Sequence, residues 1–220
     1  MALHAVWTQL DEDLNLLSAL IRDFAAAKPS LDSPSHFFLR DECLLEGILS
    51  RVWQVWNRFC RNCVIESCVG TVDAVGTVIA GLPEATSEAH VSGAAIFAKK
   101  RAGQPNWGTP NTILRAEPTW GDVDVLTKIL TCLRPANSPK MLAAFSSGHA
   151  SAKALQLIRN GAAHNHVQNV NEIEKLRSAY VVFPIVHPTH AMFWIEPQSN
   201  DFLVTHAIDK LKDIGFIAIS

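Results

Sequence analysis

Long apolar runs and an excess of charge of one sign are both missing from this sequence. No run approaches the ~20 apolar residues that a membrane-spanning helix needs, and the N-terminus lacks the basic-then-apolar pattern of a secretion signal. We therefore expect a soluble, cytoplasmic protein with no membrane partner. The 19 basic and 21 acidic residues give a net charge of −2. Such a balance disfavours coating of duplex nucleic acid but leaves room for a small catalytic groove for RNA.

Cysteine is sparse and unpaired in its spacing. Five cysteines are an odd number, which favours reduced thiols in a reducing compartment. Cys60 and Cys63 have the spacing of a zinc-ligand pair, but no second pair at suitable spacing follows them, so buried thiols are the better interpretation. His187 and His190, beside prolines, resemble a metal pair only superficially. We predict neither a metal nor a cofactor.

Helical periodicity accounts for most of the chain. Hydrophobic residues make up 48% of the 220 residues, enough for the core of one domain. The predicted helices are an amphipathic one over 10–28, a rod of ~30 residues that begins at Ser33-Pro34, helices over 123–133 and 150–160, one that starts with a cap at Asn169 and runs to Tyr180, and a last one capped by residues 199–201. Gly47, inside the rod, suggests that another backbone passes close by.

Two regions break the helical pattern. Glycine and proline interrupt residues 81–121, which we interpret as a long irregular insertion with one short helix. Residues 181–185 and 191–195 are short apolar runs that favour a small β-hairpin or extended packing segments. The sequence thus predicts an all-α helical domain over 1–182, with a C-terminal extension over 183–220 packed on the same domain.

The most informative segment combines Arg159, Asn160 and His164 directly after an apolar helical stretch. Five positions along a straight helix amount to about 500° of rotation, so Arg159 and His164 would point about 140° apart. They converge only if the helix ends or kinks between them, and Gly161 is where this is easiest. An arginine and a histidine at a helix end can also simply complement the helix dipole.

Arg-Asn, three residues and then His, at the end of an apolar helix in an all-α domain, resembles the HEPN superfamily. The order of elements is similar as well, with two long helices, a variable insertion and then shorter helices that carry the motif. The resemblance extends over residues 8–182 as a helical-bundle pattern and is specific only over Arg159–His164. The insertion and the residues after Tyr180 have no counterpart in it.

The resemblance implies a metal-independent endoribonuclease of the toxin or antiviral-defence kind that works as a homodimer. In this reading Arg159, Asn160 and His164 are catalytic. His164 would move a proton to or from the ribose, Arg159 would bind the phosphate, and Asn160 would orient one of them. Attack by the 2′-hydroxyl would leave a 2′,3′-cyclic phosphate. An antitoxin or other regulatory partner is implied for such an enzyme.

Several other residues are candidates for supporting roles. His166 could supply a second acid–base group, while Glu42 and Glu46 could reach the cleft and position an arginine, or else be solvated or paired with arginines. Lys99, Lys100 and Arg101, the only basic run, are weak candidates for RNA contact, and an exposed basic loop is the alternative. Trp107 and Trp120 could stack on bases or pack the insertion. A catalytically inactive helical module for dimerisation or partner and nucleotide binding is the alternative function.

Overall fold

Helices dominate the computed structural model, which describes residues 2–100, 103, 105–164 and 167–220. The α-helices, numbered in chain order, are α1 Leu3–Ala26, α2 Leu39–Val69, α3 Glu88–Lys100, α4 Val123–Leu133, α5 Ser138–Ser147, α6 His149–His164, α7 Val167–Glu174 and α8 Leu203–Ile219. Short 3-10 helices span Pro34–His36, Leu114–Ala116, Lys175–Ala179 and Pro188–Phe193. Strands β1 Thr71–Val72 and β2 Val78–Ile79 pair antiparallel. The all-α prediction is therefore confirmed at the level of fold class.

Strong amphipathic patterns located the end of α1 and the length of α2, but the predicted start of α1 at residue 10 was wrong, because the helix begins at Leu3. Helix α1 ends close to the Lys28-Pro29 step, α4 covers the predicted span, and α2 is 31 residues long. The predicted start of α2 was wrong, because Pro34–His36 forms a separate 3-10 turn and the Ser33 side chain caps nothing there. Pro34 therefore begins a short 3-10 helix, whereas α2, the predicted rod, begins at Leu39. No helix in the described ranges is both long and apolar enough to cross a membrane.

Weaker patterns failed in the second half of the chain. Asn169 lies inside α7 instead of capping it, and a 3-10 helix over Lys175–Ala179 replaces the predicted continuation to Tyr180. The apolar runs around residues 181–185 and 191–195 form an isolated bridge between Val181 and Ile195 instead of a hairpin, because most of the second run belongs to a 3-10 helix. Trp194 Nε1 also donates to the carbonyl of Phe183 at 3.1 Å. The β1–β2 hairpin and α5 were not predicted.

The chain forms two compact units. The first comprises Met1–Asp11, Trp56–His149 and Lys212–Ser220, and the second comprises Glu12–Val55 and Ala150–Leu211. The candidate motif Arg159–His164 and both candidate glutamates belong to the second unit. The division into residues 1–182 and 183–220 stays a prediction.

A buried tryptophan organises the core of the first unit. Trp56 stacks on Phe59, with ring centroids 5.6 Å apart, and meets Phe145 edge-on at 5.9 Å. Its indole N–H donates to the carbonyl of Gly121 at 3.1 Å, so a buried polar atom is satisfied while the ring is packed. These contacts hold α2, α5 and the approach to α4 together.

The predicted irregular insertion contains α3. The carboxylate of Glu117 links the insertion to Arg61 of α2. Glu117 accepts hydrogen bonds from Arg61 Nε at 2.7 Å, Ser92 Oγ at 2.8 Å and Trp120 Nε1 at 2.9 Å. Burial raises the pKa of Glu117, but these donors outweigh it and its pKa lies below the usual value. Trp120 is buried and packs the insertion, as one of its two predicted roles required.

An aromatic cluster fills part of the second unit, around the ammonium group of Lys28. Phe24 and Phe193 stack at 5.6 Å, Phe37 lies 5.9 Å from Phe193, and Lys28 Nζ sits 5.1 Å from the Phe24 ring. Lys28 also donates to the Asp41 carboxylate at 2.5 Å. Burial raises the pKa of Asp41, yet the Lys28 bond and the Phe38 amide bring it below the usual value. The link between α1 and α2 is thus held by charge as well as by packing.

Two helical glycines have opposite environments. The expectation that a backbone passes close to Gly47 is wrong, because a Cβ built there meets no atom of the described residues within 4 Å. At Gly93 in α3, by contrast, a Cβ would overlap the carbonyl oxygen of Thr109. The glycine that permits a close backbone approach is therefore in the insertion, not in the rod.

We predict that Gly93→Ala lowers the free energy of unfolding by about 1–3 kcal/mol, because overpacking against a backbone carbonyl outweighs the gain in helix propensity. Gly47→Ala is the matched control and should raise stability by about 0.5–1 kcal/mol. Urea unfolding followed by circular dichroism measures both. Equal effects of the two substitutions would contradict the close approach at Gly93.

Candidate functional site

All three residues of the candidate motif lie on α6. This helix continues through Gly161 and ends at His164, so it does not terminate at the glycine. Arg159 and His164 are therefore on one regular helix and point about 140° apart. In ideal helical geometry the two side chains therefore leave different faces of α6.

Gly161 has a packing role instead. It is buried, and a Cβ built on it would lie 2.7 Å from Ile173 Cδ1 and 3.2 Å from Pro188 Cβ. Helix α7 and the start of the 3-10 helix Pro188–Phe193 thus come close to α6 at this position. A glycine is present here because neighbouring side chains leave no room for a Cβ atom. From the local sequence alone, such a glycine cannot be told from one that ends a helix.

Arg159 is only partly satisfied. Its Nη1 donates to the Oδ1 of Asn160 at 3.0 Å, while its Nε is buried and has no hydrogen-bond partner among the described residues. The backbone carbonyl of Asn160 accepts from Asn169 Nδ2 at 3.5 Å, which ties the motif to α7. A buried guanidinium N–H without an acceptor is a donor that a water or an anion can use.

Glu46 shares a small cavity with Arg159. The cavity has a volume of about 60 Å³, and its lining residues are Glu46, Leu49, Ser50, Arg159, Ala162 and Ala163. This is room for about two water molecules, so a nucleotide could engage it only at its mouth. The suggestion that Glu46 reaches Arg159 therefore has a structural counterpart, whereas Glu42 does not line this cavity.

Glu42 and Glu46 face two histidines of the 3-10 segment around Pro188–Phe193. His190 Nε2 lies 3.5 Å from Glu42 Oε1, and His187 Nε2 lies 3.3 Å from Glu46 Oε1. The two glutamates and the two histidines have the same spacing along their helices. Four residues of α-helix and three residues of 3-10 helix both advance about 6 Å. The two imidazole centroids are 6.0 Å apart. Two carboxylate–histidine pairs thus join α2 to the 3-10 helix.

Backbone hydrogen bonds determine which ring nitrogen carries the proton in these histidines. Thr189 N–H donates to Nδ1 of His187, and the amides of Val186 and His187 donate to Nδ1 of His190, all at 3.4 Å. Because each Nδ1 accepts, the neutral rings carry their proton on Nε2. Nε2 of His190 is buried and has no hydrogen-bond partner among the described residues, so its 3.5 Å approach to Glu42 is not a hydrogen bond. Burial lowers the pKa of His190 to about 4, with a further contribution from nearby His187, despite the Glu42 carboxylate.

The motif analysis missed this histidine pair, although a signal was present. His187 and His190 were judged only as metal ligands, and among the described residues no group of three or more His, Cys, Asp or Glu side chains could hold a metal ion. The usable signal was the equal length of His187-x2-His190 in a 3-10 turn and Glu42-x3-Glu46 in an α-helix. Nothing local, however, indicates that these two segments meet.

No contact between the remaining candidates and these two pairs is found among the described residues, and two of the candidates fall outside those residues. His164 is exposed at the end of α6. Lys99 and Lys100 are exposed in the last turn of α3, in the other compact unit. Arg101 and His166 both fall outside the described residues. Cys60 and Cys63 are free and buried in α2, and burial raises the pKa of Cys63 to about 12, as expected for inert thiols.

Comparison with protein-family models, curated proteins and solved structures finds no match to this chain. The resemblance to the HEPN superfamily therefore rests on the motif residues of α6 and on the helical pattern alone.

We predict that protonation of His190 destabilises the fold in acid. The neutral ring is favoured in the folded state, so its contribution is complete above about pH 6.5 and is lost as the pH falls towards about 4. Between about pH 7 and pH 5 the loss should be about 2 kcal/mol in the free energy of unfolding. Urea unfolding at the two pH values measures it.

His190→Asn provides the comparison, because asparagine can keep the acceptor at the Nδ1 position but does not titrate. The stability gap between wild type and this variant should shrink by about 2 kcal/mol on going from about pH 7 to pH 5. His4 is exposed, and the stability difference between wild type and His4→Ala should be the same at both pH values. A gap for His190→Asn that is the same at both pH values would refute the buried neutral state.

Proposed function

We propose that the protein is a metal-independent endoribonuclease of the HEPN type, with Arg159, Asn160 and His164 as its catalytic residues. The observation that carries the proposal is the Arg159 guanidinium, which has a buried Nε without an acceptor and lines a cavity with Glu46. It lies within the motif that resembles this superfamily. A donor held in this way suits the developing negative charge on a phosphate.

The reaction is an attack of the ribose 2′-hydroxyl on the adjacent phosphorus. One side chain removes the 2′-hydroxyl proton and another protonates the leaving 5′-oxygen, so that the products are a 2′,3′-cyclic phosphate and a 5′-hydroxyl end. The exposed imidazole of His164 can serve as the acid, since histidine titrates near neutral pH. Asn160, hydrogen-bonded to Arg159, keeps the guanidinium oriented.

In this proposal each active site combines residues from two copies of the chain. Because α6 is continuous, Arg159 and His164 of one copy point about 140° apart, and the His164 that serves a given Arg159 comes from a second copy. A two-fold homodimer brings the two motifs face to face and creates two such sites. Function as a toxin or antiviral-defence effector, held in check by an antitoxin or another regulatory partner, is part of the same proposal.

The continuity of α6 also favours a second candidate function. If two copies never join their motifs, the chain is a catalytically inactive helical module for dimerisation or for partner or nucleotide binding. In that reading Arg159 and His164 complement the dipole at the C-terminal end of α6, where cations are stabilising. RNA cleavage separates the two functions.

We predict that the wild type cuts total RNA of the expression host in excess EDTA and leaves 2′,3′-cyclic phosphate ends. Arg159→Ala and His164→Ala should each slow cleavage by about 100-fold or more, because phosphate stabilisation or proton transfer is lost. Labelling of product ends identifies the chemistry, and thermal unfolding verifies that the variants fold.

Matched controls exist on the same helices. Arg51→Ala on α2 and His149→Ala at the opposite end of α6 remove similar side chains that are not among the residues lining the cavity, and both variants should cut like the wild type. Full activity of His164→Ala, or intact RNA with the wild type, would favour the inactive module. Loss of cleavage on chelation would instead indicate a metal-dependent hydrolase.

A further inference from the structure

The C-terminal extension, which has no counterpart in the family resemblance, supplies a side chain that holds Glu46. His187 lies at the N-terminal boundary of the 3-10 helix Pro188–Phe193 and places Nε2 3.3 Å from Glu46 Oε1. Its side chain is only 15% exposed, whereas that of Glu46 is 42% exposed. The glutamate is thus anchored on one side and open on the other.

We propose that Glu46 is the general base of the reaction and that His187 is the positioning residue that holds it. The inference rests on the proposed function, in which His164 provides the acid and a base is still needed. Glu46 fits this need because it lines the same cavity as Arg159, the residue that binds the phosphate. A carboxylate base, an imidazole acid and a guanidinium then complete the set of groups.

The fixed tautomer of His187 explains how it acts. Its Nδ1 is occupied by the amide of Thr189 at 3.4 Å and by the Thr189 hydroxyl at 2.8 Å, so this nitrogen does not face a substrate. Its Nε2–H is therefore the ring group that lies 3.3 Å from Glu46 Oε1, close enough to restrain the carboxylate electrostatically. The ring acts through Glu46 and does not contact the RNA itself.

The proposed step is balanced in atoms and charge. The free oxygen of Glu46 takes the 2′-hydroxyl proton while the 2′-oxygen bonds to phosphorus, and the bond from phosphorus to the 5′-oxygen breaks. The imidazolium of His164 from the second copy gives its proton to that 5′-oxygen. Glu46 ends protonated and His164 neutral, and exchange with water restores both.

Two substitutions at position 187 separate positioning from a purely structural role. His187 also caps the 3-10 helix through Nδ1. Asparagine places an acceptor where Nδ1 lies and is a strong N-cap, but it does not reach Glu46. Glutamine places a donor where Nε2 lies, reaches Glu46 and caps poorly. Stability and activity should therefore rank the two variants in opposite order.

The experiment measures thermal unfolding and cleavage of a labelled mixed-sequence single-stranded RNA, beside total host RNA, in EDTA. We expect His187→Asn to unfold near the wild-type temperature but to lose about 10- to 100-fold in kcat with KM nearly unchanged, because the base is misplaced while Arg159 still binds phosphate. His187→Gln should unfold earlier yet keep kcat within about threefold of the wild type. Glu46→Gln should lose at least as much kcat as His187→Asn.

The outcomes are distinguishable. If the wild type cuts and activity follows stability, with asparagine better than glutamine, His187 is only a cap and the inference is wrong while the ribonuclease stands. A wild-type kcat in Glu46→Gln would likewise contradict the assignment of Glu46 as general base, while the proposed ribonuclease function would be unaffected. If neither RNA is cut by any variant or by the wild type, the proposed function fails and this inference fails with it.

Discussion

The continuity of α6 through Gly161 is the constraint on which the account of this protein depends. Ile173 and Pro188 pack against the glycine inside α6, and ideal helical geometry sets Arg159 and His164 about 140° apart. Glu46 lines the cavity beside Arg159. In the proposed ribonuclease, Glu46 is therefore the acid–base group that the same copy supplies, and His164 serves a second copy.

The same packing explains why the C-terminal extension belongs to the candidate site. Pro188 contacts Gly161 and begins the 3-10 helix whose histidines face α2. The spacing of about 6 Å in both helices lets two histidines meet two glutamates in register. His190 is deeply buried and lies 4.2 Å from the Phe37 ring, whereas His187 stays near the surface. One pair is thus part of the core and the other borders the cavity.

Sequence reasoning succeeded where the signal was periodic. The all-α class, α4 and the length of α2 follow from apolar residues that repeat every three to four positions. It failed where the outcome depended on what packs against a residue. Gly47 and Gly161 look alike in sequence, yet a Cβ on the first meets no atom of the described residues within 4 Å and the second faces α7. The pairing of Glu46 with His187 joins residues far apart in the chain, and neither local pattern nor spacing within one segment reveals it.

The claim that the site is shared between two copies is tested most directly by mixing the two inactive variants. Arg159→Ala and His164→Ala, unfolded together and refolded, form about half heterodimers, each with one site that has both residues intact. We predict that the mixture regains about a quarter of wild-type cleavage, while each variant refolded alone stays inactive. A mixture as inactive as its parents, with heterodimers verified by mass spectrometry, would contradict the composite site.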